Sequence, residues 1–260
     1  MAAKKPRLDQ LVHELGLTES REKAKALVMA GQVLVNDQPA TKPGTPTDPT
    51  AQIRVKGTMP FVSRGGEKLA GALDAFALTP GGDWLDIGQS TGGFTDALLQ
   101  RGAMHVTGVD VGYGQLANKL RQDDRVTCIE RTNARTLPLD FFDGRQFDNA
   151  VIDVSFISLR SILPTVAPHV RAGGAILAMV KPQFEAGREG VGKGGVVRDP
   201  ELVAACVEGV AQFATTLGLR MRDQAPSPIL GPKGNQEVFL WLEKPANADQ
   251  TEPGPQTTSR

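Results

Sequence analysis

The hydrophobic pattern changes period along the chain. Near the start, apolar positions recur at helical spacing: Leu8, Leu11, Val12 and Leu15 in "LDQLVHELGL", then Ala24, Leu27 and Val28 in "SREKAKALVMAG". Ser20 is placed to cap the second helix and Gly31 to end it. Two short runs, "QVLVND" and "AQIRV", predict strands around the proline-rich "TKPGTPTDPT". From about Phe61, strand-like runs ("DWLDIG", "HVTGVD", "VTCIE", "FDNAVIDV", "GAILAMVK", "EVFLWLEK") alternate with helical segments. The helix "DPELVAACVEGVAQFATTLG" opens with Asp199 as cap and Pro200 in its first turn. Such alternation predicts an α/β architecture with a parallel, doubly wound sheet. The expected boundaries are a small α+β domain over 1–56, a connector over 57–63, a large domain over 64–244 and a disordered polar tail over 245–260.

At 260 residues the chain holds one large domain and a small one. It is 40% apolar and 22% charged, ordinary for a soluble globular protein. No apolar run approaches the ~20 residues that span a bilayer, and "MAAKKPRLDQ" lacks the apolar core of a secretory signal. Cys128 and Cys206 by themselves make neither a disulfide framework nor a zinc site, so cytoplasmic residence is expected and no metal is. Net charge is zero, but residues 1–60 carry nine Lys/Arg against six Asp/Glu. That surplus fits a nucleic-acid partner, and equally a solvated helix face.

The stretch "LDIGQSTGGFTDALL", Leu85 to Leu99, carries the first candidate chemistry. An apolar run ends in Asp86 and Gly88, Gly92 and Gly93 follow, and a helical pattern starts at Phe94. Strand, glycine turn and helix make a nucleotide-cofactor site, because glycine lets the backbone turn tightly under a ligand. Asp110 ends the next strand, 22 residues after Gly88, where a carboxylate can accept hydrogen bonds from both ribose hydroxyls. NAD and S-adenosylmethionine both fit these features. The absence of G-x-G-x-x-G, and Asp86 just ahead of the first glycine, favour S-adenosylmethionine: a carboxylate opposes a pyrophosphate but suits a sulfonium and an ammonium. A second glycine stretch, "GREGVGKG" (Gly187 to Gly194), matches G-x-x-x-x-G-K but has glycine where a Mg²⁺-ligating Ser/Thr belongs. It reads as a mobile loop near the substrate, ahead of a phosphate cradle.

Asp153 of "AVIDVSF" and Lys181 of "LAMVKPQFE" end two later strands. Neighbouring parallel strands lie ~5 Å apart, so the two side chains can share a hydrogen bond. A structural ion pair would use the same residues. Here a resemblance adds to the reading. "SRGGEKL", "DIGQSTGGF", "DVGYGQL", "ERTNAR", "DVSFISL", "VKPQFE" and "GPKGNQEVFLWL" together resemble the TlyA family, often labelled haemolysins and similar to FtsJ-type ribose 2′-O-methyltransferases. The match runs from about Arg7 to Leu242, and Gln89 stands where the family usually has a small residue.

The resemblance implies a Rossmann-like S-adenosylmethionine-dependent methyltransferase sheet behind an αL-type RNA-binding domain. It implies a Lys-Asp-Lys-Glu tetrad of Lys68, Asp153, Lys181 and Glu237, and ribosomal RNA as substrate, at a cytidine ribose in an assembled subunit. A ribose hydroxyl must lose its proton to attack a methyl group, and a lysine amine near neutrality can take it. The expected roles are Lys181 as proton acceptor, Asp153 as its orienting partner, and Lys68 and Glu237 as holders of the ribose. Asp86, Gly88, Ser90 and Gly93 are expected at the methionine end of the cofactor, Asp110 at its ribose and Asn133 at its adenine, with Gly92 and Phe94 also expected to bind it. Ser90 and Asn133 could equally cap turns. Lys5, Arg7, Arg21, Lys23, Lys25 and Arg64 are the expected RNA contacts, with Arg54 and Lys56 coupling docking to the large domain. A non-catalytic RNA-binding protein, a membrane-active haemolysin and a nicotinamide oxidoreductase are the competing readings. Occupation of all four tetrad positions argues against the first, and the absence of a spanning segment against the second. The third leaves Asp153, Lys181 and the N-terminal domain without a role.

Overall fold

The computed structural model describes residues 5–36, 38–55 and 60–246. The expected Lys56, connector residues 57–59 and tail residues 247–260 lie outside that range. The chain divides into two compact units, Met1–Met59 and Pro60–Arg260, each with its own core.

The first unit pairs α1 (Leu8–Glu14) with α2 (Arg21–Met29) over three short antiparallel strands, β1 (Val33–Val35), β2 (Gln38–Ala40) and β3 (Ile53–Val55), in the order β2-β1-β3. Ser20 caps α2, its side chain accepting from Lys23 N, and Gly31 leaves the helix at φ 66°. Leu8, Val12, Ala24, Val28, Val33 and Val55 form the core, the i, i+4 apolar faces read in the sequence. Strand β2 was not expected: "QPA" carries a proline, which a sheet tolerates at an edge such as this.

In the second unit α3 (Arg64–Ala75) leads into β4 (Asp83–Ile87), α4 (Gly93–Gln100), β5 (His105–Val109), α5 (Asn118–Arg121) and β6 (Val126–Ile129). The chain then crosses to β7 (Asn149–Ile152), α6 (Leu163–Val166) and β8 (Ala175–Val180). Two short helical turns, α7 (Pro182–Glu185) and α8 (Gly187–Gly190), precede α9 (Pro200–Thr216), β9 (Arg220–Pro226) and β10 (Val238–Glu243). The seven strands lie in the order β6-β5-β4-β7-β8-β10-β9.

This α/β sheet is Rossmann-like and doubly wound, with one correction to the expected parallel arrangement. Strand β10 runs antiparallel to both β8 and β9. Helix α9 carries the chain from β8 out to β9, and a turn without a crossover helix returns it between them, a connection that closes only antiparallel pairs. Strand β9, "RMRDQAP", was missed because six of its seven residues are exposed and its pattern is that of a charged edge.

Alternation along the strands divides the core between the two faces. Leu85, Ile87, Ile152, Ala178 and Leu240 pack with Val207 and Val210 of α9, while Trp84, Val151, Leu177 and Phe239 pack with Leu69 and Leu73 of α3 and Leu98 of α4. The switch of strand order falls between β4 and β7, so the ends of these strands border the crevice where such folds bind ligands.

Phe239 is fully buried against Phe94, ring centroids 5.8 Å apart. Replacement Phe239→Ala is expected to cost about 3–5 kcal/mol, read as a lower urea midpoint for unfolding of the second unit.

Candidate active site

The end of β4 sets the geometry. Gly88 has φ 88°, and a Cβ there would stand 2.2 Å from Asp153 O, so only glycine lets β4 and β7 approach this closely. Gly92 has φ 90°, and a Cβ on it would strike Leu120 Cδ1 at 2.4 Å. Between them Ser90 N donates to Asp110 Oδ2 at 2.8 Å, and Ser90 Oγ bonds Gln115 Oε1 at 3.2 Å. Asp110 Oδ1 also accepts from Gly112 N at 2.6 Å. These residues open onto a cavity of about 400 Å³ lined by Gly88, Ser90, Asp110, Asn133 and Asp153, among others.

Of the expected cofactor residues, Gly88, Ser90, Asp110 and Asn133 reach this cavity, and Asn133 also caps a turn, its Oδ1 accepting from Arg135 N at 3.0 Å. Asp86, Gly92, Gly93 and Phe94 are not on its wall. Phe94 packs on Phe239, and Gly93 is crowded by Ser63 and Gly66. Asp86 is fully buried under the loop, where Thr95 Oγ1 donates to its Oδ2 at 2.6 Å. Gln89 turns inward over Gly108, its Nε2 donating to Thr95 Oγ1 at 3.0 Å, which keeps its bulk out of the cavity.

The Asp86 Oδ1 atom is buried without a hydrogen-bond partner. Burial pushes the Asp86 carboxyl up to about 7; the Thr95 hydrogen bond pulls against that rise, and Asp153 and Asp110 add to it.

The four tetrad positions converge at the carboxyl end of the sheet. Lys181 Nζ lies 2.6 Å from Asp153 Oδ1 and donates to Ser155 Oγ at 2.9 Å. Lys68, on the second turn of α3, makes a buried ion pair with Glu237. The register joins the two pairs: Val180 faces Val238 across β8 and β10, so Lys181 and Glu237 follow as the next opposed positions. Ser155 and Gln115 were missed, although both lie in segments already singled out, because hydroxyls and amides carry no pattern of their own. Phe156, 89% exposed and in tilted ring contact with Phe184 at 5.3 Å between centroids, also lines the cavity.

Most of the expected RNA-contacting cations are partnered. Arg7 and Arg21 each donate from Nε to the buried Asp9, at 3.0 and 3.1 Å. Burial raises the Asp9 carboxyl, but these two hydrogen bonds outweigh it and hold it below the usual range. Lys23 pairs with Glu19 and Lys5 with Asp48. Lys25 is exposed without an acidic partner among the described residues, and in the second unit Arg64 Nη2 donates to Leu230 O at 2.7 Å. Among the described residues no His/Cys/Asp/Glu cluster could hold a metal, and no helix is long and apolar enough to cross a membrane.

The glycine-cradled cavity at the switch point has Asp153, the partner of Lys181, on its wall, and its class follows from the family that the chain matches. Residues 61–244 match the FtsJ-like methyltransferase model and residues 6–53 the S4 domain. The chain belongs to the FtsJ-like methyltransferase family. It is 47% identical over 243 residues, 92% of its length and 90% of the relative's, to the 16S/23S rRNA (cytidine-2′-O)-methyltransferase TlyA of Mycobacterium tuberculosis. Hemolysin A of Brachyspira hyodysenteriae is 40% identical over 90% of this chain and 98% of that protein. A solved protein of Streptococcus thermophilus with a provisional haemolysin name is 46% identical, with a TM-score of 0.69, covering 94% of this chain and 90% of its own. Within the family these relatives place the chain in the TlyA group.

The Asp86 environment gives a pH dependence. Its folded value, about 7, exceeds the ordinary 3.8, so the folded state holds an extra proton between these limits. The Asp86 contribution to stability is therefore fully present below about pH 4 and is lost as pH rises through 7. Asp86→Asn removes this slope: its stability relative to wild type should rise between pH 5 and pH 8 by a few kcal/mol, measured by urea unfolding at both pH values.

Proposed function

We propose that the protein methylates a ribose 2′-hydroxyl of ribosomal RNA, at a cytidine in an assembled subunit, with S-adenosylmethionine as donor and in the cytoplasm. The observation that carries this reading is the convergence of the Lys181–Asp153 and Lys68–Glu237 pairs beside a cavity that fits the cofactor. The fit is local and chemical. Two left-handed glycines shape the loop, Asp110 offers carboxylate oxygens to a ribose, and Asp153 adds a second carboxylate to the wall of a cavity for a cofactor that carries a sulfonium and an ammonium. When bound, S-adenosylmethionine supplies an electrophilic methyl group.

The chain's own residues do the remaining work. In its unprotonated amine form Lys181 Nζ accepts the proton of the 2′-hydroxyl as the oxygen becomes nucleophilic, and Asp153 balances the ammonium that results. Asp153 and Ser155 fix the direction of that nitrogen from two sides. Lys68 and Glu237 hold the ribose from the neighbouring strand end, and their mutual pairing keeps either charge from standing alone in the core. The match to the S4 domain and the TlyA relatives supports RNA as the partner of the first unit. There Asp9 sets Arg7 and Arg21 side by side, with each arginine side chain about half exposed, an arrangement able to meet a phosphate.

Lys181→Ala tests the role of the base. Methyl transfer to ribosomal subunits should fall by about 10²- to 10⁴-fold, while S-adenosylmethionine affinity, measured by calorimetry, stays within a few-fold of wild type. Loss of cofactor binding in step with turnover would contradict the assignment.

A further inference from the structure

The glycine-rich segment that follows Lys181 has no part in the chemistry above, yet it is firmly built. Gly192 and Val196 pair as an antiparallel bridge, Gly192 N donating to Val196 O at 3.1 Å and Gly195 N to Gly192 O at 3.0 Å. Gly194 and Gly195 turn the chain at φ 86° and 81°. Asn235, 1% exposed, clamps this hairpin: its Nδ2 donates to Gly195 O and its Oδ1 accepts from Val197 N, both at 2.9 Å. Asn235 O also accepts from Gly231 N at 2.9 Å, and Glu237 follows two residues later. A buried amide satisfied at both ends fastens the hairpin to the loop that carries a tetrad member.

Three cations surround the turn. Lys193, Arg198 and Lys233 are exposed, and none has an ion-pair or hydrogen-bond partner among the described residues, unlike Lys5, Arg7, Arg21 and Lys23. A Cβ on Gly195 would lie 3.4 Å from Lys233 Nζ, and one on Gly192 would lie 4.0 Å from Arg198 Nη1. The glycines thus let both cations close over the backbone. Arg198 and Lys233 line one cleft of about 730 Å³, with Val196, Val203 and Gly234. The adjacent Asp199 is committed to its helix, accepting from Glu201 N at 2.9 Å. Unpaired cations beside a glycine turn recognise a phosphate.

We propose that this cleft holds the phosphodiester backbone of the substrate RNA next to the target ribose, Arg198 and Lys233 contacting phosphate and Lys193 extending the track. The proposal rests on the ribose-methylation reading and assigns that site its substrate-positioning surface. RNA backbone is the occupant for two reasons: three unpaired cations complement a polyanion, and Asn235 ties the cleft to Glu237. These are positioning residues, acting on where the RNA lies.

The test compares wild type with the double variant R198A/K233A in the full chain, titrated with purified small and large ribosomal subunits between about 50 and 200 mM salt. The variant should bind RNA at least about tenfold more weakly, with a log–log salt slope shallower by about 1.5, the loss of two phosphate contacts. KM for RNA should rise with kcat within about twofold, S-adenosylmethionine affinity should be unchanged, and R198K/K233R should bind like wild type. Unchanged RNA affinity and salt slope overturn the proposal. So does a joint loss of cofactor affinity, or failure of the conservative variant to restore binding, because either makes the residues structural. A wild-type protein that methylates neither ribosomal subunit strikes the functional reading instead, and the binding comparison still judges the cleft.

Discussion

The register in which β10 pairs with β8 is the constraint on which the site depends. Val238 faces Val180, which sets Glu237 opposite Lys181 at the carboxyl end of the sheet. A slip by one residue would turn every side chain of β10 to the other face. Phe239 would leave its place against Phe94, and Glu237 would lose Lys68. The buried aromatic contact and the ion pair are thus consequences of one pairing, and the antiparallel insertion of β10 between β8 and β9 makes that pairing possible.

Charge is arranged around this frame in opposed pairs. Lys68 with Glu237 and Lys181 with Asp153 bring two cations and two anions to one end of the sheet, so neither sign accumulates. Asp86 breaks the rule. It is buried beneath the cofactor loop with one oxygen unpartnered and only hydroxyl and amide groups, from Thr95, to bond it. An apolar residue would fit the strand at less cost, since a buried carboxylate without a cation is unfavourable.

The alternation of apolar runs disclosed most of the sheet, because buried parallel strands such as β8 are continuous apolar blocks. Strand β9 was invisible for the opposite reason: its exposed charged face carries no hydrophobic period. Strand β2 was hidden by Pro39. Asp153 and Lys181 stood out as charges ending apolar strands, whereas Lys68 and Glu237 lie in loops and helix turns and entered only through resemblance. Phe94 looked like part of the cofactor loop because it follows the glycines in sequence, but a helix starting there turns it into the core. The clamp made by Asn235 joins residues forty apart, a relation no local pattern carries.

The central claim is methyl transfer to a ribose oxygen. Its most direct test is to incubate the protein with methyl-labelled S-adenosylmethionine and purified small and large ribosomal subunits, then map the labelled nucleotide. The account predicts label on the 2′-oxygen of a cytidine. Label on a base would contradict the tetrad chemistry while keeping the methyl donor, and no label on either subunit, despite measured cofactor binding, would contradict the ribosomal substrate.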